Sequence, residues 1–404
     1  MLTFKYTAID PKTNQKTSDT MQAANEPAAA EALKGRGLMP LELKLLDQEK
    51  GLARWRHRIS TKEKVIFSRQ LSTLINAGLP LVQSLRTVAE QLKNPKFKGI
   101  ISEVIASVEG GSTFSAALAR HPNAFNNVYI SLIAAGETSG TLDVSLTRLA
   151  DQQEKDAEIM SKVRGALVYP FIVLAVMGGV MTFMITTVLP QVQSLYNELP
   201  GAQLPLVTRL LLGVSHFFVH FWWALVLLLV GGGYLLRNWA RTEHGRATVD
   251  RLKLRLPLAG QLYMKLYMAR FARVSSTLLA SGVPLLKMLE VSAEAVGNVG
   301  VAASLAKASE SVKGGKALSA SLRGDPYFTE LVPDMIRIGE QSGALEGMLD
   351  KVADYYEKEV DNQVKAISTI VEPVLMIFIG IIALVIVAAV LLPIYSLVGK
   401  NFIK

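Results

Sequence analysis

The chain has 404 residues, of which 50% are hydrophobic and 19% are charged, and its formal net charge is +9. Its mean hydropathy of +0.30 is too high for a single soluble domain, whereas its charged fraction is too high for a transporter that lies wholly in the bilayer. It contains no cysteine, which excludes disulfides, thiolate metal sites and cysteine nucleophiles.

Residues 1–45 predict a small α+β appendage. Phe4–Ile9 is rich in strand-forming residues, Asp10–Asn14 has the composition of a turn, and Asn25-Glu26-Pro27 is typical of the start of a helix. Residues 46–60 are strongly charged and indicate a linker. No apolar segment follows Met1, so a cleavable signal peptide is not expected.

The rest of the chain is duplicated. The segment Phe67–Leu81 returns as Phe271–Leu285 at an offset of 204 residues, with Phe-x-Arg and Gly-(Leu/Val)-Pro-Leu in both copies. The offset becomes 203 for Gly136–Leu142 and Gly339–Leu345, which share Gly-Glu-x-Ser-Gly-x-Leu. The repeated unit is therefore a polar segment followed by an apolar one.

Within each copy, apolar residues recur at helical spacing, as in the stripe formed by Phe67, Leu71, Leu74 and Ile75. Glycine and proline pairs separate these stripes, so we expect roughly six antiparallel helices per repeat. The predicted fold is mainly α: two duplicated cytoplasmic six-helix bundles, three transmembrane helices and the small N-terminal α+β appendage.

Three long stretches carry no charge, and each exceeds the roughly 20 residues that cross a bilayer. They are Gly165–Asn197, Leu210–Leu236 and Pro373–Gly399. The loop Gln191–Thr208 has no Lys or Arg, whereas many basic residues follow the second stretch. The positive-inside rule therefore places the N-terminus and both repeats of this multi-pass membrane protein in the cytoplasm.

These observations predict ten segments. They are the appendage 1–45, the linker 46–60, the first cytoplasmic helical repeat 61–166, transmembrane helix 167–189, a periplasmic loop 190–216, transmembrane helix 217–236, a basic cytoplasmic connector 237–264, the second repeat 265–372, transmembrane helix 373–398 and the tail 399–404.

The duplicated Gly-Glu-x-Ser-Gly motif has two interpretations. Its glycines and serine suit a helix–helix turn, in which Gly ends one helix and Ser caps the next. A turn does not obviously need Glu, so the motif is also a candidate contact for a partner or for the other repeat. The candidate residues are Gly136, Glu137, Gly140, Gly339, Glu340 and Gly343. We expect alanine at both glutamates to abolish the function that such a contact serves without impairing membrane insertion, because an exposed turn carboxylate contributes little to folding.

Pro170 and Pro373 lie where each repeat meets its apolar stretch. Proline removes a helix hydrogen bond and kinks the axis, so these residues are either structural bends or hinges between a moving bundle and its anchor.

Other patterns predict no chemistry. His216 and His220 have helical spacing but lack a third ligand, and Gly314-Gly315-Lys316 lacks the first glycine of a phosphate loop. No catalytic constellation, cofactor site or metal site is expected, and the basic residues lack the interleaved aromatics of a nucleic-acid surface.

Taken together, the two Phe-x-Arg segments, the two Gly-Glu-x-Ser-Gly motifs and the two proline joints resemble the inner-membrane platform proteins of type IV pilus assembly and type II secretion. The resemblance covers about Thr61 to the C-terminus, and a small N-terminal appendage is also compatible with this family. It implies a protein that is not an enzyme and that binds a hexameric cytoplasmic assembly ATPase, pilins or pseudopilins, other inner-membrane assembly proteins, membrane lipid and further copies of itself.

Two other functional classes are compatible with the sequence. A small transporter or channel component would have to work as an oligomer, because the charge-free stretches offer almost no polar path. A membrane-bound enzyme would need converging titratable groups. The sequence does not distinguish a pilus from a secretion or DNA-uptake system, and it does not specify the oligomer, the surface that binds the ATPase or the role of the appendage.

Overall fold

The computed structural model describes residues 2–9, 16–23, 30, 32–33, 35, 39–45, 59–188, 190–191, 194, 206–257 and 259–401. The expected turn at 10–14, the expected helix start at 25–27, nearly all of the linker, and parts of the predicted outer loop and tail lie outside the described residues.

The N-terminal region forms a three-stranded antiparallel sheet. Its strands are β1 (Leu2–Ile9), β2 (Lys16–Ala23) and β3 (Met39–Leu45), in the order β2-β1-β3. The expected strand at Phe4–Ile9 lies within the central strand β1. Tyr6 and Ala8 are buried on one face of that strand, as the twofold alternation of side chains requires.

The first copy of the duplicated segment consists of α1 (Thr61–Asn76), α2 (Leu81–Gln91), α3 (Pro95–Glu109), α4 (Phe114–Ala119), α5 (Asn127–Ser139) and α6 (Leu142–Phe183). Local sequence explains where these helices begin. Ser60 and Glu63 form a reciprocal capping box at α1, and the side chains of Asn94 and Asn126 cap α3 and α5.

The second copy follows two connecting helices, α7 (Leu206–Trp239) and α8 (Glu243–Arg255). It consists of α9 (Ala259–Ala280), α10 (Leu285–Val296), α11 (Val299–Lys313), α12 (Leu318–Leu322), α13 (Leu331–Ser342) and α14 (Leu345–Asn401). Helices α9–α14 repeat the order and the relative lengths of α1–α6. The last helix of each copy is much the longest.

Aromatic side chains occupy the interior of each repeat. The rings of Phe67 and Phe97 meet edge to face at 5.3 Å in the first copy, and those of Phe271 and Phe328 do so at 5.3 Å in the second. The buried residues of both copies belong to one connected apolar cluster. The two repeats therefore share a continuous core.

Among the described residues, two helical segments are long and apolar enough to cross a membrane, Leu142–Val188 and Leu345–Ala388. They include residues 167–188 of the first expected span and residues 373–388 of the third. The second expected span lies in α7, whose helical dihedral angles are interrupted at Phe221. Leu227, Leu228 and Leu229 on this helix are about 70% exposed, at 68%, 68% and 70%, which is typical of a surface that faces lipid.

Candidate partner-contact sites

The Gly-Glu-x-Ser-Gly motif occupies the same corner in both repeats, between α5 and α6 and between α13 and α14. Its last glycine, Gly140 or Gly343, has a positive φ of 72° or 69° and ends the helix in the left-handed conformation. Its first glycine allows the next helix to approach. A Cβ atom on Gly136 would lie 2.6 Å from Oγ of Ser145, and one on Gly339 would lie 2.8 Å from Cα of Leu345.

The glutamate of the motif caps a different helix. Glu137 accepts hydrogen bonds from the backbone N–H groups of Phe114 and Ser115 and from the Ser115 hydroxyl, and its bond to the Ser115 N–H measures 3.0 Å. These N–H groups lie at the start of α4 and have no partner within that helix. A carboxylate there also interacts favourably with the helix dipole.

The second copy repeats this arrangement. Glu340 accepts from the backbone N–H groups of Leu318 at 2.6 Å and Ser319 at 3.4 Å, and from the Ser319 hydroxyl at 2.5 Å. Both glutamates are half-buried.

The structure thus gives both glutamates an internal role that the sequence analysis did not foresee. The expectation that they are exposed turn carboxylates was wrong, because both are half-buried and hydrogen-bonded to the start of a helix. Contact between these corners and a partner stays a prediction. The exposed residues of the first motif are Thr138, Ser139 and Gly140, so this edge is the part of the corner that a partner can reach.

The arginine of each Phe-x-Arg segment joins the first helix of its repeat to the last. Arg69 lies 2.5 Å from Asp151 and 2.6 Å from Glu154 on α6. Its hydrogen bonds, chiefly to Glu154, raise the pKa of Arg69 and lower that of Glu154.

The equivalent Arg273 contacts Asp350, Asp354 at 2.5 Å and Glu357 at 2.7 Å on α14. Its side chain is only 8% exposed, against 36% for Arg69. Burial opposes the charge of Arg273, but the hydrogen bond and the charge of Glu357 outweigh it, so the pKa is raised. The second arginine cluster is therefore the more deeply buried of the two.

Charged and polar contacts also join the repeats to each other. Lys155 on α6 lies 3.6 Å from Asp354 and 3.7 Å from Glu357 on α14. Further along the same helices, Lys162 lies 2.6 Å from Asp361.

Beside these pairs lies a cleft of about 500 Å³ with α6 on one side and α9 and α14 on the other. Asp156 is half-buried at the same junction, and its partial desolvation raises its pKa despite the nearby Arg270. The junction between the two repeats thus contains several charged side chains that interact with one another.

The two proline joints lie inside continuous helices. Pro170 is in α6 and Pro373 is in α14, with helical residues on both sides. A hinge role for them stays a prediction. Among the described residues, no group of three His, Asp or Glu side chains converges as a metal site.

The arginine clusters are the residues that sequence reasoning missed. Their signal was present, because Arg69, Asp151 and Glu154 each recur in the second copy. The partners of the motif glutamates also left a signal, because Ser115 recurs as Ser319. The presence of the same residues in both copies does not by itself reveal which side chains are in contact.

Comparison with known proteins agrees with this duplicated architecture. The family model described as type II secretion system (T2SS), protein F matches residues 67–190 and again residues 271–393. The model of the N-terminal domain of type II secretion system protein F matches residues 1–44. The double match confirms the internal duplication.

Relatives match nearly the whole chain. The type IV pilus assembly protein PilC of Thermus thermophilus is 39% identical over 404 residues, which is 99% of each chain. PilC of Myxococcus xanthus is 35% identical, over 96% of this chain and 93% of its own. The type II secretion system protein F of Xanthomonas campestris is 35% identical, over 98% of each. The chain belongs to the type II secretion system protein F family.

Proposed function

We propose that this protein is an inner-membrane platform that couples a cytoplasmic assembly ATPase to the assembly of pilins or pseudopilins, in type IV pilus biogenesis or type II secretion. The observation that carries the proposal is similarity to assembly proteins of both systems over nearly the whole length, including both repeats and the N-terminal region. The platform is not itself an enzyme, and the energy comes from the partner.

The proposed architecture has the ten segments set out from the sequence. Two six-helix bundles and the α+β appendage lie in the cytoplasm, and three helices cross the inner membrane. Support comes from the two long apolar helices and from the exposed leucines of α7. The basic residues that follow α7, among them Arg241, Arg246 and Arg251, favour a cytoplasmic location for α8.

Reporter fusions test this topology. A fusion at Gly201 should report the periplasm and one at Arg255 the cytoplasm. Equal signals from the two positions would contradict the three-span arrangement.

The duplicated corners are the proposed contacts for the ATPase or for other inner-membrane assembly proteins, and Pro170 and Pro373 are the proposed hinges. Because Glu137 and Glu340 already cap helices, alanine variants would mix loss of contact with loss of stability. Glutamine keeps one acceptor oxygen while it removes the charge, so Glu137→Gln with Glu340→Gln is the sharper variant pair.

The function itself is tested by expressing the full-length chain with the assembly ATPase of its host. The ATPase should co-purify with the chain from membranes, and a strain that lacks the chain should assemble no filament. The glutamine pair should reduce filament assembly while the protein stays in the membrane, and the exposed Glu90→Gln serves as the control. A strain that assembles filaments without the chain would refute the platform role.

A further inference from the structure

Helix α8 joins the second predicted span to the second repeat, and its first turn lies close to the end of that span. Three residues separate Glu243, where α8 begins, from Trp239, where α7 ends. The joint is tight, because the Thr242 hydroxyl donates to the Trp239 carbonyl at 2.7 Å and accepts from the Gly245 N–H at 3.2 Å. The predicted span ends at Leu236, so α8 begins directly beside the membrane.

The other end of α8 lies at a similar level. Helix α9 begins at Ala259, four residues after α8 ends. Leu262 in its first turn packs against an apolar cluster that Ala166 of α6 also contacts. Ala166 directly precedes the first predicted span. A helix of 13 residues is about 20 Å long, so α8, with both ends near the bilayer, lies along the membrane surface rather than pointing away from it.

One face of α8 is fixed on the second repeat. Asp250 is 5% exposed, and its carboxylate pairs with Lys253 at 2.9 Å and accepts from the Val299 N–H at 3.1 Å. Leu254 packs on the core that the repeats share. Leu252 lies between Asp250 and Leu254 in the chain, and residues two positions apart on an α-helix point to nearly opposite sides. The face that carries Leu252 therefore points away from the repeat.

This outer face of α8 combines exposed apolar and basic side chains. It consists of Thr248, Arg251, Leu252 and Arg255 together with Leu256, which follows the helix directly. Leu252 and Leu256 are 58% and 45% exposed. Arg251 and Arg255 are exposed as well, and neither makes an ion pair with any described residue. Leucines and unpaired arginines on one face are typical of a helix that lies in the interfacial layer of a bilayer.

The charge around α8 selects the kind of lipid. Residues 237–255 contain six basic side chains and two acidic ones, and the acidic Asp250 is already paired with Lys253. The basic residues nearest to the span are Arg237, Arg241 and Arg246. Basic segments beside a span are attracted to anionic headgroups and gain little from zwitterionic headgroups, which carry no net charge.

We propose that the outer face of α8 lies in the headgroup layer of the cytoplasmic leaflet and binds anionic phospholipid. Arg251 and Arg255 contact the phosphates, while Leu252 and Leu256 reach the upper part of the acyl chains. Because Asp250 fixes the opposite face, this contact holds the second repeat against the membrane surface. The inference deepens the proposed platform function and rests on its topology, which places α8 in the cytoplasm.

Quenching of a fluorescent label by nitroxide lipids tests the proposal on the full-length chain, which has no natural cysteine. Thr248→Cys keeps both arginines and both leucines of the outer face. It is labelled with a thiol-reactive fluorophore and reconstituted in nanodiscs of equal parts phosphatidylcholine and phosphatidylglycerol, in which one or the other lipid carries a nitroxide near the top of an acyl chain. Titration of the nitroxide fraction gives the apparent association constant of each lipid at α8. Phosphatidylglycerol should associate about 10- to 30-fold more strongly than phosphatidylcholine.

Gln341→Cys is the matched control for the label. Gln341 is exposed at the corner before α14, and about 40 Å of that helix separate Leu345 from Pro373, where the third predicted span begins. A label there should be quenched by neither lipid. Absence of quenching at Thr248→Cys would show that α8 does not touch the bilayer and overturns the proposal. Equal quenching by the two lipids contradicts the anionic preference and overturns it as well.

Removal of the two arginines tests the chemistry of the contact. Arg251→Gln with Arg255→Gln, added to Thr248→Cys, should lower the ratio of the two association constants about tenfold, because each basic residue at an anionic surface contributes about a factor of five and salt screens part of this attraction. Lys316→Gln with Lys351→Gln removes the same charge at exposed positions of the second repeat outside α8 and should leave the ratio unchanged. Equal losses in both variants would show a nonspecific charge effect and overturn the proposed contact.

This result is independent of the platform function. Both leaflets of a nanodisc have the same lipids, and neither the ATPase nor a pilin is present, so failure of filament assembly in cells leaves the quenching unchanged. The reporter fusion at Arg255 decides separately which leaflet α8 contacts, and a periplasmic signal overturns the cytoplasmic assignment while the quenching stands. Conversely, absence of quenching leaves the filament experiment untouched.

Discussion

Replacing Glu137 with alanine should expose the start of α4. The substitution removes three hydrogen bonds, from the Phe114 and Ser115 N–H groups and from the Ser115 hydroxyl. A hydrogen bond to a charged group contributes about 1.5–3 kcal/mol, and loss of a helix cap costs about 0.5–2 kcal/mol. The site is half-buried, so water replaces part of what is lost, and Thr113 still caps the Ala116 N–H. We expect a local cost of about 1.5–3 kcal/mol.

Hydrogen exchange of the full-length protein in detergent measures this cost directly. At about 1.4 kcal/mol for each factor of ten, amide exchange at Phe114 and Ser115 should accelerate about 10- to 100-fold. Glu340→Ala should do the same at Leu318 and Ser319, because the contacts are duplicated. Far from both corners, exchange should change much less.

The matched control is Glu90→Ala. Glu90 is an exposed glutamate of the same repeat with no hydrogen bond or ion pair to any described residue, so its removal should leave exchange near α4 unchanged. Unaltered exchange at Phe114 and Ser115 in Glu137→Ala would refute the capping role. It would also restore the view that this carboxylate is free for a partner.

Further predictions concern burial and charge. Arg273→Ala should cost about 2–4 kcal/mol, because it removes the buried cation that three carboxylates share and leaves only the more distant Lys155 beside two of them. The more exposed Arg69→Ala should cost about 1 kcal/mol. Thermal unfolding in detergent compares the two variants, and equal losses would contradict the difference in burial. Gly339→Ala should cost about 1–3 kcal/mol, because the new Cβ atom meets the backbone of the next helix. The control Gly99→Ala places its Cβ atom in open space and should not destabilise the protein. Equal melting temperatures for the two variants would refute this packing. The raised pKa of Asp156 means that its contribution to stability is complete below its ordinary value of 3.8 and is lost as pH rises through the folded pKa. Asp156→Asn should therefore become more stable relative to the natural chain as pH rises above 3.8, and parallel pH profiles of unfolding for the two proteins would contradict the raised pKa.

Local patterns in the sequence were sufficient for the helices and the duplication. The break at Gly78-Leu79-Pro80 separates α1 from α2 as expected. The first charge-free stretch begins in the long helix α6, and the second and third lie within α7 and α14. These features depend on residues close together in the chain. Helical periodicity and hydrophobic length can therefore be read without knowing what each helix packs against.

The candidate site was predicted only in part. The glycines of the duplicated motif do form a helix–helix corner, because a left-handed turn and a close approach both require glycine. The capping role of Glu137 was missed, since its partner Ser115 lies 22 residues away. Nothing in the local sequence connects the two.

By itself, the sequence determined that this protein is a duplicated helical chain with apolar segments that follow each repeat, because periodicity and hydrophobicity are properties of neighbouring residues. Only the tertiary structure decided which charges meet. Arg69 reaches Glu154 across 85 residues, and Lys162 reaches Asp361 across 199. Two repeats with the same charges at equivalent positions can pack symmetrically or head to tail, and the choice depends on which helix faces bury their apolar side chains. That is a property of the packed molecule.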